Sequence, residues 1–171
     1  VGNATVDVSQ KQEVSVDISV TTNPGFALAT IQVDIAKGAP LTIKKIAKAE
    51  NTILKGSLVA DGNGFSILED EDVTATGAIV TVTFEVDADA AKDGDYEIGL
   101  SLKENKPGNF VNYDENIVPV TFVPGKVTIT GATPAAPCVS VKSGAKTTEK
   151  LTTGAQNKTY LSDIFADEKG H

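Results

Sequence analysis

Val80-Thr81-Val82-Thr83-Phe84-Glu85-Val86 alternates strictly, with apolar side chains at even positions and polar ones between them. Successive residues of a β-strand point to opposite faces. The run therefore predicts a strand with Val80, Val82, Phe84 and Val86 in a core and Thr81, Thr83 and Glu85 in water. The same period recurs on both sides of it. Val14, Val16, Ile18 and Val20 alternate with Ser15, Asp17, Ser19 and Thr21. Tyr96, Ile98, Leu100 and Leu102 alternate with Glu97, Gly99, Ser101 and Lys103. Ala29, Ile31, Val33 and Ile35 oppose Leu28, Thr30, Gln32 and Asp34, and Val127 with Ile129 marks a closing strand.

Turn chemistry punctuates these runs. Asn23-Pro24-Gly25, Lys37-Gly38-Ala39-Pro40, Asp61-Gly62-Asn63-Gly64 and Asp93-Gly94-Asp95 supply residues that tolerate tight turns, and Lys106-Pro107-Gly108-Asn109 opens a longer loop. Asp89-Ala90-Ala91-Lys92 suits one helical turn and no more. Roughly eight or nine short strands at this spacing predict an all-β sandwich.

Composition agrees. Of 171 residues, 40% are hydrophobic but 5% aromatic, with no Trp and no Met, so the core is expected to be built from Val, Ile, Leu and Ala, with Phe and Tyr as occasional fillers. The net charge is −8 and all 15 basic residues are Lys. Phosphate neutralisation needs a basic stripe, so nucleic acid is not an expected partner. An anionic membrane surface would repel the chain, and no apolar run approaches the roughly 20 residues that span a bilayer. Cys138 stands alone, which excludes an internal disulfide framework. No leader pattern opens the chain, so it is expected to begin mature or excised.

The acidity is not uniform. Residues 1–131 hold 10 Lys against 19 acids, and residues 132–171 hold 5 Lys against 4. The boundary is Ala132-Thr133-Pro134-Ala135-Ala136-Pro137, a stiff, extended linker. Beyond it, residues 138–158 are rich in Ser, Thr, Lys and Gly without a hydrophobic face, which predicts a mobile tail.

Catalytic constellations are missing from the residues. The single histidine is His171, so neither a Ser-His-Asp triad in a folded core nor a His/Cys zinc site is available. Gly62-Asn63-Gly64 reads as a hairpin turn rather than a phosphate loop. Glu69-Asp70-Glu71-Asp72 has three readings. It is a solvated loop, a set of hard oxygen ligands for Ca²⁺, or an acid/base pair for glycoside hydrolysis. Carbohydrate binding would use aromatic platforms, for which Phe26, Phe110 and Tyr113 are the candidates. Their commoner role is to cap the end of a sandwich.

Several stretches, taken in order, resemble a cohesin, the receptor module of cellulosome-type assemblies. They are Ala4-Thr5-Val6-Asp7-Val8 with Glu13-Val14-Ser15-Val16-Asp17-Ile18; Asn23-Pro24-Gly25-Phe26-Ala27 leading to Val33-Asp34; and Leu41-Thr42-Ile43-Lys44-Lys45-Ile46. Then come residues 77–86, Ala90-Ala91-Lys92-Asp93-Gly94-Asp95-Tyr96, and Val123-Pro124-Gly125-Lys126-Val127-Thr128-Ile129. The resemblance covers residues 1–131. It implies a nine-stranded β-sandwich of jelly-roll topology that is not an enzyme and works outside the cell. It implies no cofactor of its own and a dockerin as partner, a small helical module folded around Ca²⁺. The implied binding face is built from strands three, five, six and eight. On this chain strand three would present Leu28, Thr30 and Gln32, and strand six Ser66 and Leu68, with Glu69 at its end. The best-known cohesin type carries Asn and Asp where Leu28 and Thr30 stand here, which implies a more apolar surface.

The tail resembles a second family. Tyr160-Leu161-Ser162-Asp163-Ile164-Phe165-Ala166-Asp167-Glu168-Lys169-Gly170-His171 is similar to the opening of an S-layer homology domain. That implies a parent protein attached to a Gram-positive-type cell wall and displaying the sandwich. A carbohydrate-binding module of a secreted polysaccharide-degrading system, and a structural sandwich of a surface-layer protein, are the competing functions.

Overall fold

The computed structural model describes residues 1–132 throughout and, beyond them, the backbone of residues 140–141 and 165–166. The chain divides into two compact units, Val1–Thr133 and Pro134–His171. In the second, Ser140–Val141 pairs antiparallel with Phe165–Ala166. Cys138, His171, the tail expected to be mobile and the rest of the S-layer resemblance lie outside the described residues.

The first unit has ten strands: β1 (Asn3–Asp7), β2 (Glu13–Val20), β3 (Phe26–Ile35), β4 (Leu41–Lys48), β5 (Ser57–Asp61), β6 (Gly64–Val73), β7 (Gly77–Val86), β8 (Gly94–Leu102), β9 (Phe110–Val111) and β10 (Gly125–Thr130). They form a seven-stranded sheet ordered β1-β10-β8-β3-β6-β5, with β9 also on β3, and a three-stranded sheet ordered β2-β7-β4. The unit is a β-sandwich, with one strand more than the nine expected. The extra strand is β9, whose two residues are too short to show a period. Residues 88–90 form a single turn and no helix longer than that.

Parity builds the core. In the small sheet Val14 opposes Phe84, Val16 opposes Val82 and Ile18 opposes Val80. Val80, Val82 and Phe84 are each 0% exposed. From the large sheet, Val6, Ile31, Val33, Phe65, Ile67, Ile98, Val127 and Ile129 complete the same cluster. The polar partners form the outer faces, where Ser15 and Thr83 hydroxyls lie 2.8 Å apart and Thr81 donates to Asp17 at 2.5 Å.

Two departures from parity matter. In β4 the register with β7 shifts between Ile43 and Lys45. The extra residue lets Lys44 and Lys45 both reach water while Ile46 turns inward, and Lys44 pairs with Glu13. In β6, Leu68 opposes Leu28 of β3 and the next pair is Val73 with Phe26. Residues 69–72 thus stand opposite Ala27 alone, and β6 leaves the ladder there. The β5–β6 hairpin closes on Asp61 and Gly64, with Gly62 at φ 59°, a left-handed turn position that suits glycine. This fixes the register between residues 56 and 65.

Candidate functional site

The outer face of β8, β3, β6 and β5 follows from what faces inward. Phe65 and Ile67 are buried, so Ser66 and Leu68 point outward; Ala29, Ile31 and Val33 are buried, which leaves Leu28, Thr30 and Gln32 on the same side. Register brings them together. Leu28 lies opposite Leu68, Thr30 opposite Ser66, and Gln32 opposite Gly64. The Thr30 and Ser66 hydroxyls are 3.2 Å apart. Leu68 is 59% exposed, whereas Leu28 is half-buried between its neighbours. Five of the six residues nominated from sequence therefore share one surface.

Glu69 does not join them, and its expected place at the outward end of strand six is corrected. It follows Phe65 and Ile67 at period two inside a ten-residue strand, so it faces the core and is 5% exposed. A buried carboxylate needs donors, and the lead-in to β5 supplies them. Glu69 Oε2 accepts the backbone N–H groups of Gly56 at 2.7 Å and Lys55 at 3.2 Å. Its Oε1 is buried without a protein partner. The approach is close enough to require glycine: a Cβ on Gly56 would sit 2.2 Å from the Leu68 carbonyl oxygen. The Lys48 ammonium donates to the Gly56 carbonyl from the end of β4. The start of β5 is thus clasped from both sides.

The rest of the acidic run disperses, and it lies within β6 rather than in a solvated loop. Glu71 pairs with Lys55 at 2.9 Å, and that hydrogen bond, with Glu71's charge, raises the Lys55 ammonium above its ordinary range. Asp72 accepts the Tyr113 backbone N–H at 2.7 Å. Among the described residues no three His, Cys, Asp or Glu side chains converge on a point that could hold a metal. The aromatic candidates separate too. Phe26 and Phe110 are 1% and 9% exposed, and their rings pack at 5.1 Å, inside the sandwich. Tyr113 alone is open, at 63%.

The face is shallow. A depression of about 260 Å³ lies over Gln32, Gly64 and Ser66, with Asp61 and Lys103 at its rim, their charges 3.4 Å apart. That is below the usual size of a small-molecule site, roughly 300–1,000 Å³. Such a surface suits a broad partner better than a small ligand.

Three outward apolar residues escaped the sequence reading. Val59 opposes Ser66 on β5 and is 61% exposed. Val111 of β9 opposes Leu28 on the other flank of β3. Ile117, 59% exposed, bridges to Val111 across the loop of residues 112–116. Counting back from the Gly62-Asn63 turn would have placed Val59. Val111 and Ile117 depend on a two-residue strand that leaves no periodic trace.

No family model matches the sequence, and no curated protein does. Solved structures do match. A CaDoc0917–CaCohA2 complex superposes with TM-score 0.59 at 12% identity, covering 75% of this chain and 96% of that one. The solution structure of CaCohA2 from Clostridium acetobutylicum gives 0.52 at 16% identity, over 77% of this chain and 90% of that one. The third cohesin ScaC in complex with the ScaB dockerin, from Acetivibrio cellulolyticus, gives 0.52 at 13%, over 75% and 94%. At such identities the likeness is one of architecture: the described sandwich has a cohesin-like fold.

Proposed function

We propose that this chain is a non-catalytic protein-binding module that captures dockerin-bearing proteins through the outer face of β8, β3, β6 and β5. The observation that carries the reading is the pairing of Leu68, 59% exposed, with Leu28 at the centre of that face, on a cohesin-like sandwich. An apolar centre ringed by Thr30, Ser66 and Gln32 is the composition of a protein interface, with a dehydrated middle and a polar rim. Two of the similar structures are themselves complexes of a cohesin, or CaCohA2, with a dockerin or CaDoc0917. The face is made of strands, so binding requires little backbone movement. Any Ca²⁺ belongs to the dockerin. The module works outside the cell, on a protein whose C-terminal S-layer homology region attaches it to the wall.

Titration calorimetry against a panel of dockerin modules tests this. At least one should bind, and Leu68→Asp should weaken that binding by about a hundredfold, as loss of a central anchor does, with the melting temperature unchanged. Leu28→Asp should weaken it as well. Silence across the panel, with retardation of the chain in gels containing cellulose, xylan or starch, would replace this reading with carbohydrate binding.

A further inference from the structure

Cross-strand register places Leu68, Leu28, Val111 and Ile117 in one line. Leu68 opposes Leu28, Leu28 opposes Val111, and Val111 bridges to Ile117. Partners in an antiparallel pair point to the same side, so all four side chains stand on the outer surface. The inward neighbours agree: Phe110 is buried, and Val118 packs against the core. The result is an apolar ridge running across the strands, open at both ends, where Leu68 and Ile117 are each 59% exposed. Val59 widens it at the β5 end.

The unpaired charge at the rim of the ridge is of one sign. Asp70 lies two residues beyond Leu68, and Asp114 and Glu115 sit in the loop that delivers Ile117; all three are exposed. None of them has an ion-pair partner among the described residues, whereas the nearby lysines Lys55, Lys103 and Lys106 are held by Glu71, Asp61 and Glu104. The ridge is therefore flanked by unpaired carboxylates and by cations that are already engaged.

We infer that the recognition face extends past the four strands onto the β9 hairpin, so that Ile117, Asp114 and Glu115 join Leu28 and Leu68 in holding the partner's helix. This rests on the proposed protein-binding role and adds residues to its surface. Dimensions favour a helix. Three inter-strand steps of about 4.8 Å make the ridge roughly 14 Å long. Helical turns repeat every 5.4 Å or so, and a helix crossing the strands sets about one turn over each. Charge selects among occupants. A second copy of this chain would bring the same carboxylates and be repelled, as would an anionic lipid surface. Among the described residues a polysaccharide would find Tyr113 as its one open aromatic. A basic-flanked helix satisfies both the ridge and its rim.

The test uses the full chain and whichever dockerin binds most tightly in the panel. Ile117→Asp should weaken binding about tenfold, and Asp114→Lys with Glu115→Lys should weaken it several-fold. The parent's affinity should fall as NaCl rises from about 0.05 to 0.5 M, and the double-lysine variant should lose much of that dependence. Val123→Asp is the control: Val123 is 66% exposed but lies beside the chain's first residue, whose ammonium its carbonyl accepts, so affinity should hold. If the parent and Leu68→Asp differ while Ile117→Asp and the double-lysine variant match the parent, the ridge extension is wrong and the proposed function stands. If no dockerin binds the parent, both fall.

Discussion

Glu69 is the residue where local sequence and packed structure part. Four acids in a row read as a solvated segment. Yet period two, counted from Phe65 and Ile67, points the first of them at the core. The two donors that make this tolerable come from Lys55 and Gly56, 14 and 13 residues away in the chain, which no local pattern exposes. Removing the acceptor leaves two part-buried N–H groups without their partner. Glu69→Ala should therefore cost about 3 kcal/mol in urea unfolding, and Glu69→Gln, which keeps one acceptor oxygen, about half of that. A Glu69→Ala variant within about 0.5 kcal/mol of the parent would show that water replaces the carboxylate without loss. Leu28, Thr30, Gln32, Ser66 and Leu68 were readable because alternation fixes the side of every residue in an unbroken strand. Their role in binding is a proposal that no alternation can supply.

Among the elements, stretches of strict alternation were legible: Glu13–Ile18 of β2 and Val80–Val86 of β7 follow the pattern, which breaks only at Ser19 and at Ile79. Irregularities were not. The register shift in β4, the excursion of β6 and the brevity of β9 arise from tertiary pairing, and each moves side chains between faces without changing composition. The β8–β10 pair shows how polar chemistry supports a ladder. Asp95 accepts from Lys126 Nζ at 2.5 Å and from Thr128 Oγ1 at 2.6 Å, and these bonds, Lys126 first, hold its carboxyl below the usual range. A carboxyl whose pKa is lowered by folding contributes stability above its unfolded pKa and loses it as pH falls through the folded value. Asp95→Asn should thus shift the urea midpoint downward at pH 7. The gap from the parent should narrow as pH falls from 7 through and below the ordinary carboxylate range. A gap that stays constant over that range would mean the effect is packing, not charge.

On the scale of the whole molecule, β-branched composition and turn spacing sufficed for a two-layer sandwich. The order β1-β10-β8-β3-β6-β5 against β2-β7-β4 was not readable, because alternation says nothing about which strand lies beside which. The charge was readable and belongs to the first unit, which carries 19 acids against 10 lysines. That unit holds a continuous core from Val6 to Ile129. A chain ending at Thr133 should accordingly melt at the parent's temperature and bind with the parent's affinity. A drop of several degrees in scanning calorimetry would mean that residues 134–171 support the sandwich.

β1 and β10 are neighbours running in the same direction, matched from Asn3 with Lys126 to Asp7 with Thr130. A pull applied at Val1 and at Gly131 would drag these two strands past each other lengthwise. Every bond of the ladder would then share the load at once, instead of yielding one after another as in a peeled hairpin. The sandwich is wired to resist tension along its own polypeptide, and single-molecule stretching should register a high rupture force that drops when Val6→Pro deletes one rung.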